Sequence, residues 1–490
     1  MGCGFQMAFS GRNLQKCKLY GTWQGLSPKI LTRRDFCGSA LAWAAMGYCA
    51  TRDVYGASSV AQRWYKGMLH CHCYWSDGRA FPEQAAKAYY DAGYHFYCMS
   101  DHNRLGKNPN YWRKVCESEG NWPKNVHRPI FESYRKTFPD AEIREKGGQT
   151  QVRIKTFDEV KAKFDQPGRF LVLPGMEITR IDAGNHHVHM NYINLNKGLA
   201  TAESGGLIQG CYGRTVSNVI GKSLSEVKKL AAELGNPANL FCVNHPHWRF
   251  WDVLPQDILD YPEIRFFEVC NCGSELPLPP NMSEKQFSCD RFWDIILANR
   301  CRAKGSLLYG LASDDAHWYP NSGTPQEVFP FADGYIQVRA EELTPEALIA
   351  AMDRGDFYAS CGVDLEDVVA EPEKGRLTVA VPAKAGVSYT IRFVGTKRDF
   401  DEKITGTVHF GGGKGISARD YPLYSDQIGI TLKSVAGKTG ERVEASYELA
   451  DDDLYVRAVV ESSEPCTAYG LKSHQHPRCT MAWTQPMRGK

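Results

Sequence analysis

Residues 67–103 read GMLHCHCYWSDGRAFPEQAAKAYYDAGYHFYCMSDHN, and they set the pattern for most of the chain. Gly67–His72 is a short apolar run with strand character that closes on two histidines. Pro82–Ala92 places apolar residues at three- and four-residue spacing, the mark of a helix with one buried face. A second apolar run, His95–Ser100, follows and ends in Ser100-Asp101-His102-Asn103. A strand, a helix and a strand, each strand ending in polar ligand-type residues, is a parallel unit with chemistry at its carboxyl ends.

The same rhythm continues outward. Further strand-like runs lie at Phe170–Pro174, His189–Leu195, Leu240–Asn244, Arg265–Val269 and Ser306–Leu311. Helical patterns lie at Thr156–Phe164, Ser223–Leu234, Asp290–Asn299 and Thr344–Gly355. Ser223 with Glu226 reads as a capping box, and Gly235 as the stop of that helix. Seven such units predict a parallel sheet closed into a barrel. Residues 104–150, rich in Asn, Pro, Lys, Glu and Gly, interrupt the rhythm and read as an inserted loop over the barrel mouth. Past Cys361 the period changes to two. Leu377–Val381, Tyr389–Val394, Ile428–Leu432, Val443–Leu449 and Tyr455–Val460 predict a small antiparallel sandwich without helices.

Composition is ordinary for a folded enzyme-sized chain: 490 residues, 43% hydrophobic, 23% charged and a net charge of +2. Residues 1–57 carry seven Lys/Arg and two Asp/Glu, which leaves 51 basic and 54 acidic residues in the remainder. A body so close to neutral offers no evident nucleic-acid-binding surface. Near the start, Thr32-Arg33-Arg34-Asp35-Phe36 precedes a small-residue apolar run from Cys37 to Ala50. Paired arginines before a weak apolar core predict export by the twin-arginine route, to the periplasm or the outside. Lipid anchoring at Cys49 and an N-terminal amphipathic helix are the lesser alternatives. The longest uncharged stretch there, Phe36 to Thr51, has 16 residues, short of a transmembrane anchor. That export route carries folded proteins, which suits a chain loaded with metal before it leaves. Of 17 cysteines, 13 lie beyond the presumed signal. Without a CxxC pair they read as buried small hydrophobes, with room for one or two disulfides.

The distribution of histidine and carboxylate is the informative feature. His70 and His72 share one face of a strand, with Ser76-Asp77-Gly78 five residues on. Other strand ends carry His102, Glu177 in Pro174-Gly175-Met176-Glu177, and the cluster His186-His187-Val188-His189. The last two carry Asn244-His245-Pro246-His247 and Ser313-Asp314-Asp315-Ala316-His317. Strand carboxyl ends converge in a barrel, so these residues would meet at one mouth. Imidazole mixed with carboxylate suits Zn, Mn or Fe better than Mg or Ca. Nine ligands exceed one tetrahedral ion, so two or three divalent metal ions are implied, with Glu177 as the bridge. Each piece alone has a plain structural explanation. His474-Gln475-His476 lacks carboxylate company and is given no role, and His95, His127 and His409 read as packing or surface residues.

The ordered set HxH, SDG, SDHN, PGxE, NHP and SDDxH resembles the polymerase and histidinol phosphatase (PHP) superfamily. Within it the chain is most similar to the exported, carbaryl-hydrolase-like metallohydrolases. The resemblance covers about residues 66–363, including Ala359-Ser360-Cys361-Gly362, and extends to Ala482-Trp483-Thr484-Gln485-Pro486. It implies an α/β chain: a distorted (β/α)7 barrel of the PHP type over 58–365, after a signal region at 1–57. A small all-β, sandwich-like domain over 366–490 would follow. It also implies one metal held by His70, His72, Glu177 and Asp315, and a second sharing Glu177 with His245 and either His189 or His187. His189, before Met190-Asn191, is preferred. A third metal would take Asp77, His102 and His317, with Asp77 standing where some relatives have histidine.

The implied activity is phosphoester hydrolysis, with a metal-bridging hydroxide attacking in line. Asp77, His247 and Arg180 are the candidate catalytic contacts, the last two as cations for the phosphoryl group. Asn244, Asp314 and Asn103 would orient ligands. Trp248, Phe250, Trp251 and Trp318 would line the mouth. The partner expected is a small-molecule or oligomeric ester. Hydrolysis of a carboxylic or carbamic ester by the same cluster is the alternative, and a non-catalytic metal-containing binding protein is a second.

Overall fold

Phe96, Cys98, Ser100 and His102 fall on one face of the second strand run, and the series shows how the fold makes a site. In the computed structural model, which describes residues 62–117, 125–203, 209–273, 286–320, 322–323, 331–413, 415–466 and 479–489, that face points inward. Phe96 and Cys98 join an apolar cluster with Leu171, Leu173, Leu240, Phe266, Tyr309 and Leu311. Two to four residues past Leu173, Phe266 and Leu311 the same face turns polar: Glu177, Glu268, Ser313 and Asp315 are all buried. The interior is therefore apolar at one end and ionisable at the other.

Seven strands make this arrangement: β1 (Arg63–Met68), β2 (Phe96–Met99), β3 (Leu171–Asp182), β4 (His187–Ile193), β5 (Leu240–Val243), β6 (Phe266–Asn271) and β7 (Tyr309–Ser313). They lie side by side in chain order within a large mixed sheet. β1, β2 and β3 pair in parallel, as do β5, β6 and β7. Gly67 of β1 sits directly over the Phe96 ring, where a Cβ would come within 1.9 Å of it.

The structure differs from the expected all-parallel closed barrel. β4 runs antiparallel to both β3 and β5. Only residues 183–186 separate β3 from β4, far fewer than a parallel crossover needs, so the two form a hairpin. The strand ladder is an open path, and a single parallel bridge, Cys71 to Ala316, links the ends of the seven-strand run. Beyond β1 the sheet continues through the antiparallel strands Tyr335–Ala340 and Phe357–Cys361.

Helices lie where the periodicity put them: Pro82–Asp91, Phe157–Phe164, Cys289–Arg302 and Pro345–Arg354. Thr156 and Glu159 form a capping box, and Gly355 ends its helix at φ 82°. One start was misread. The helix ending at Leu234 begins at Val216, capped by Thr215, so Ser223 lies inside it. Its hydroxyl donates to the Val219 carbonyl and accepts from Arg180 instead of capping.

Residues 104–150 were expected as a loop and instead fold. Trp112–Cys116, Val126–His127, Ile143–Lys146 and Gln149–Arg153 form a four-stranded sheet beside the helix Arg128–Thr137, whose Ile130, Phe131 and Tyr134 are buried. In the C-terminal part, Cys479–Thr484 pairs with Phe357–Cys361 and carries the main sheet into Asp453–Pro465, Tyr389–Lys397 and Ile430–Ala436. A three-stranded sheet of Asp367–Glu371, Arg376–Val381 and Val443–Glu448 faces it. Val379 and Val381 meet Ile391, Phe393 and Val460 between the two layers. No helix occurs among the described residues after 366.

The presumed signal and His474-Gln475-His476 lie outside the described residues. No described helix is long and apolar enough to cross a membrane. All thirteen described cysteines are free thiols, so the disulfides thought possible are not formed.

Candidate metal centre

Glu177 stands at the middle of the polar end, fully buried. One carboxylate oxygen faces His189 Nδ1 at 3.1 Å, His70 Nε2 at 3.2 Å and His245 Nε2 at 3.4 Å. The other faces His102 Nδ1 at 2.6 Å and His72 Nε2 at 3.4 Å. Asp315 sits on the far side of the HxH pair, 2.9 Å from His72 Nε2 and 3.3 Å from His70 Nε2. Asp77 closes the outer edge, 3.4 Å from His317 Nε2 and 3.7 Å from His102 Nε2.

Four overlapping groups have all their ligand atoms within 4.8 Å of one another. They are His70 with His245 and Asp315; His70 with His72 and Glu177; His102 with Glu177 and His189; and His72 with Asp77, His102 and His317. All nine residues expected as ligands are therefore brought together. His189 rather than His187 reaches Glu177; the His187 ring lies 5.9 Å from His189, against Trp248.

Electrostatics of the cluster show what such crowding does. Burial would raise the Glu177 carboxyl, but His102, His70 and His189 outweigh it and hold it well below the usual range. Burial opposes charge on His70 too, yet Asp315, Glu268 and Glu177 raise it well above an ordinary imidazole. The same balance lifts His102, through Glu177 and Asp77, to about 9. His317 also reaches about 9, against its own burial, through Asp77. Burial prevails at His189, held down to about 4. The donors fit divalent transition-type cations. Each group sets two or three imidazole nitrogens beside one carboxylate oxygen, and His189 Nε2 and Asp77 Oδ1 are among the buried atoms without a hydrogen-bond partner.

Residues behind the donors fix their orientation. Glu268, in the middle of β6, accepts from His70 Nδ1 at 2.7 Å, Ser313 Oγ at 2.6 Å and the His245 backbone N–H at 2.8 Å. It thereby presents His70 Nε2 to the cluster. Sequence reading missed it; the signal was one carboxylate inside the apolar run Phe266-Phe267-Glu268-Val269-Cys270. Asn244 donates to Glu177 at 3.0 Å, and Asn103 locks onto the backbone of Thr179 from a left-handed turn at φ 51°. Thr179 Oγ1 lies 2.5 Å from His102 Nδ1.

Several expected roles do not hold. Arg180 faces away from Glu177, because successive strand residues alternate faces. Its guanidinium donates to Ser223, Thr201 and Glu226 and lies over Tyr212. His247 turns to Cys289, 2.9 Å from its Sγ, and to Trp251. Asp314 accepts from Tyr89 and from the Ala332 N–H instead of holding a ligand, and burial pushes it up to about 8. Trp251 is buried against Phe292 and Tyr421, not at the mouth. Trp248 does flank the cluster, 4.8 Å from His189 and 5.5 Å from His245, and Trp318 lies 5.9 Å from His317. The Phe250 side chain is outside what the structure describes.

No family model matches the chain, and no curated protein matches it. Among solved structures it is similar to a two-domain protein from Bacteroides vulgatus containing a predicted PHP-like metal-dependent phosphoesterase. That match has 15% identity and a TM-score of 0.36, and covers 87% of this chain and 96% of that one. It is also similar to a candidate metal-dependent phosphoesterase from Bifidobacterium adolescentis. There the identity is 13% and the TM-score 0.27, with coverage of 53% and 89%.

Proposed function

We propose that this chain is a metal-dependent hydrolase that cleaves a phosphoester. The observation that carries the reading is Glu177, whose two oxygens face five histidines drawn from the ends of four strands. So many buried ionisable groups are costly to assemble unless cations are bound among them. His70, His72, Glu177 and Asp315 would hold one ion, with Glu177, His189 and His245 about a second. Asp77, His102 and His317, with His72 behind them, would hold a third. Bound divalent cations supply a lowered water pKa and a clamp for developing negative charge.

The chain's own residues prepare that chemistry. Glu268 and Asn244 hold His70 and Glu177 in place, so the donors need little rearrangement. The Asp315 carbonyl, 2.8 Å from His317 Nδ1, leaves Nε2 turned to Asp77. His317 and His102 are the least buried donors, so substrate would enter from their side. Trp248 and Trp318 stand at the flanks and shield the cluster from bulk water.

A specific observation keeps the second reading. Arg180 and His247, the cations expected to meet a phosphoryl group, are both turned elsewhere. Hydrolysis of an uncharged carboxylic or carbamic ester does not need them. Rates on p-nitrophenyl phosphate, bis-p-nitrophenyl phosphate and p-nitrophenyl acetate, with and without chelator, decide between the two. Chelator-sensitive cleavage of a phosphate supports the lead, and cleavage of acetate alone supports the alternative. No turnover by metal-replete protein supports a binding protein.

We further propose that the chain is exported by the twin-arginine route, takes a small or oligomeric ester, and uses its seven strands as a distorted barrel between a signal region ending at about residue 57 and a β domain starting at about residue 366.

A further inference from the structure

Asp77 differs from the other donors in what carries it. His102 follows a sheet strand, and His72 and His317 flank the bridge between Cys71 and Ala316. Asp77 sits on the loop of residues 73–79, which has no strand of its own. Two anchors hold that loop. From the side of the main sheet, Asp101 Oδ1 accepts from the Cys73 N–H at 2.8 Å, the Ser76 N–H at 2.9 Å and Ser76 Oγ at 2.7 Å. From the other side comes the folded insertion. Arg113, on Trp112–Cys116 and buried, donates from Nη2 to the Ser76 carbonyl at 2.6 Å. Its guanidinium packs over Tyr74 and Tyr111. Tyr111 in turn stacks on Trp75 at 4.7 Å, and Trp75 Nε1 donates to the Lys155 carbonyl at 2.8 Å. The His127 N–H reaches the Tyr74 hydroxyl at 3.3 Å.

Every residue from Tyr74 to Ser76 is thus gripped by the insertion, and the next residue is the donor. We propose that the insertion is a positioning arm for the outer metal group, with Arg113 setting Asp77 through the Ser76 carbonyl. This rests on the reading of the cluster as a metal site. An Arg–carbonyl bond to a buried loop is directional and charge-assisted, so its loss lets Asp77 shift relative to His102 and His317. Asp77 is a donor to the outer group alone, so the inner groups built on Glu177 should lose far less.

The test is zinc titration of chelator-stripped full-length protein against a chromophoric competitor. Arg113→Met should need at least tenfold more free zinc to fill its weakest site. Its tighter sites should match the wild type, and Arg113→Lys should recover part of the loss. Arg144→Ala, on the same arm but away from the loop, should titrate like the wild type. If Arg113→Met does not fold, Trp75→Phe removes the bond to Lys155 and should weaken the same site to a smaller degree. The proposal is overturned if the Arg113 and Trp75 variants titrate like the wild type, or if every site weakens together. It also falls if the wild type binds no zinc. If Arg113→Met shows the selective loss but the wild type cleaves no ester, the arm stands and the hydrolase reading falls.

Discussion

The inner and outer halves of the cluster are built in opposite ways. His70, Glu177 and Asp315 are buried against strand ends and braced by Glu268, Asn244 and Asn271. Asp77 hangs on a loop, and its partners His102 and His317 keep side-chain exposures of 12% and 22%. The contrast teaches a division of labour. Strand-borne donors with carboxylate and amide supports make a site that persists without help. Loop-borne donors make one that depends on its neighbours and can admit a substrate.

Glu177 is common to the inner groups, and its second oxygen faces His102 of the outer group at 2.6 Å, so removing it should disturb both halves at once. Glu177→Gln is expected to reduce hydrolysis to background and to lower bound metal at inner and outer groups, read by elemental analysis beside the rate. Glu268→Gln should strike the inner half alone, by about 10–100-fold in metal affinity, the usual cost of losing an orienting partner. A chelator-competition titration checks it, and an equal loss at the outer group would contradict the contrast.

Acidity gives a third way to sharpen it. In the metal-free protein His102 and His317 are raised to about 9, so at pH 7 they carry protons that a cation must displace. Metal affinity should therefore climb from pH 6 toward pH 9, with proton release visible as buffer-dependent heats. His189, held at about 4, is already neutral through that window and contributes nothing to the slope. His70, raised well above an ordinary imidazole, adds to the slope from the inner half, so a flat profile would show that none of these three imidazoles is a ligand. Smallest in its effect on the site, Arg180→Met should leave metal content and turnover unchanged. It should lower stability by about 1–3 kcal/mol, since it strips a buried hydrogen-bonded group from Ser223 and Glu226. Thermal unfolding and a rate assay on the same sample check both.

The donor set was legible because ligands at strand ends come in short motifs, and a period of two says which residues share a face. HxH, SDHN and SDDxH needed only the fold class to bring them together. Glu268 stayed hidden because it stands alone in an apolar strand, where sequence offers no partner for it; only packing shows His70 and His245 beside it. Arg180 misled for the reverse reason. It follows Glu177 closely in sequence, but an odd spacing of three on a strand puts it on the opposite face. The β3–β4 hairpin was hidden by placing the strands at 170–174 and 189–195; their true extents leave only four residues between them. The arm escaped notice because its strands are short and rich in Lys, Arg and Glu, so no apolar alternation marks them.

One measurement bears most directly on the central claim. Chelator-stripped protein, reloaded with zinc or manganese and freed of excess, should retain at least two equivalents per chain by elemental analysis, and His70→Ala should retain fewer. Wild-type protein that retains no metal, or a His70→Ala variant that matches it, would contradict the account.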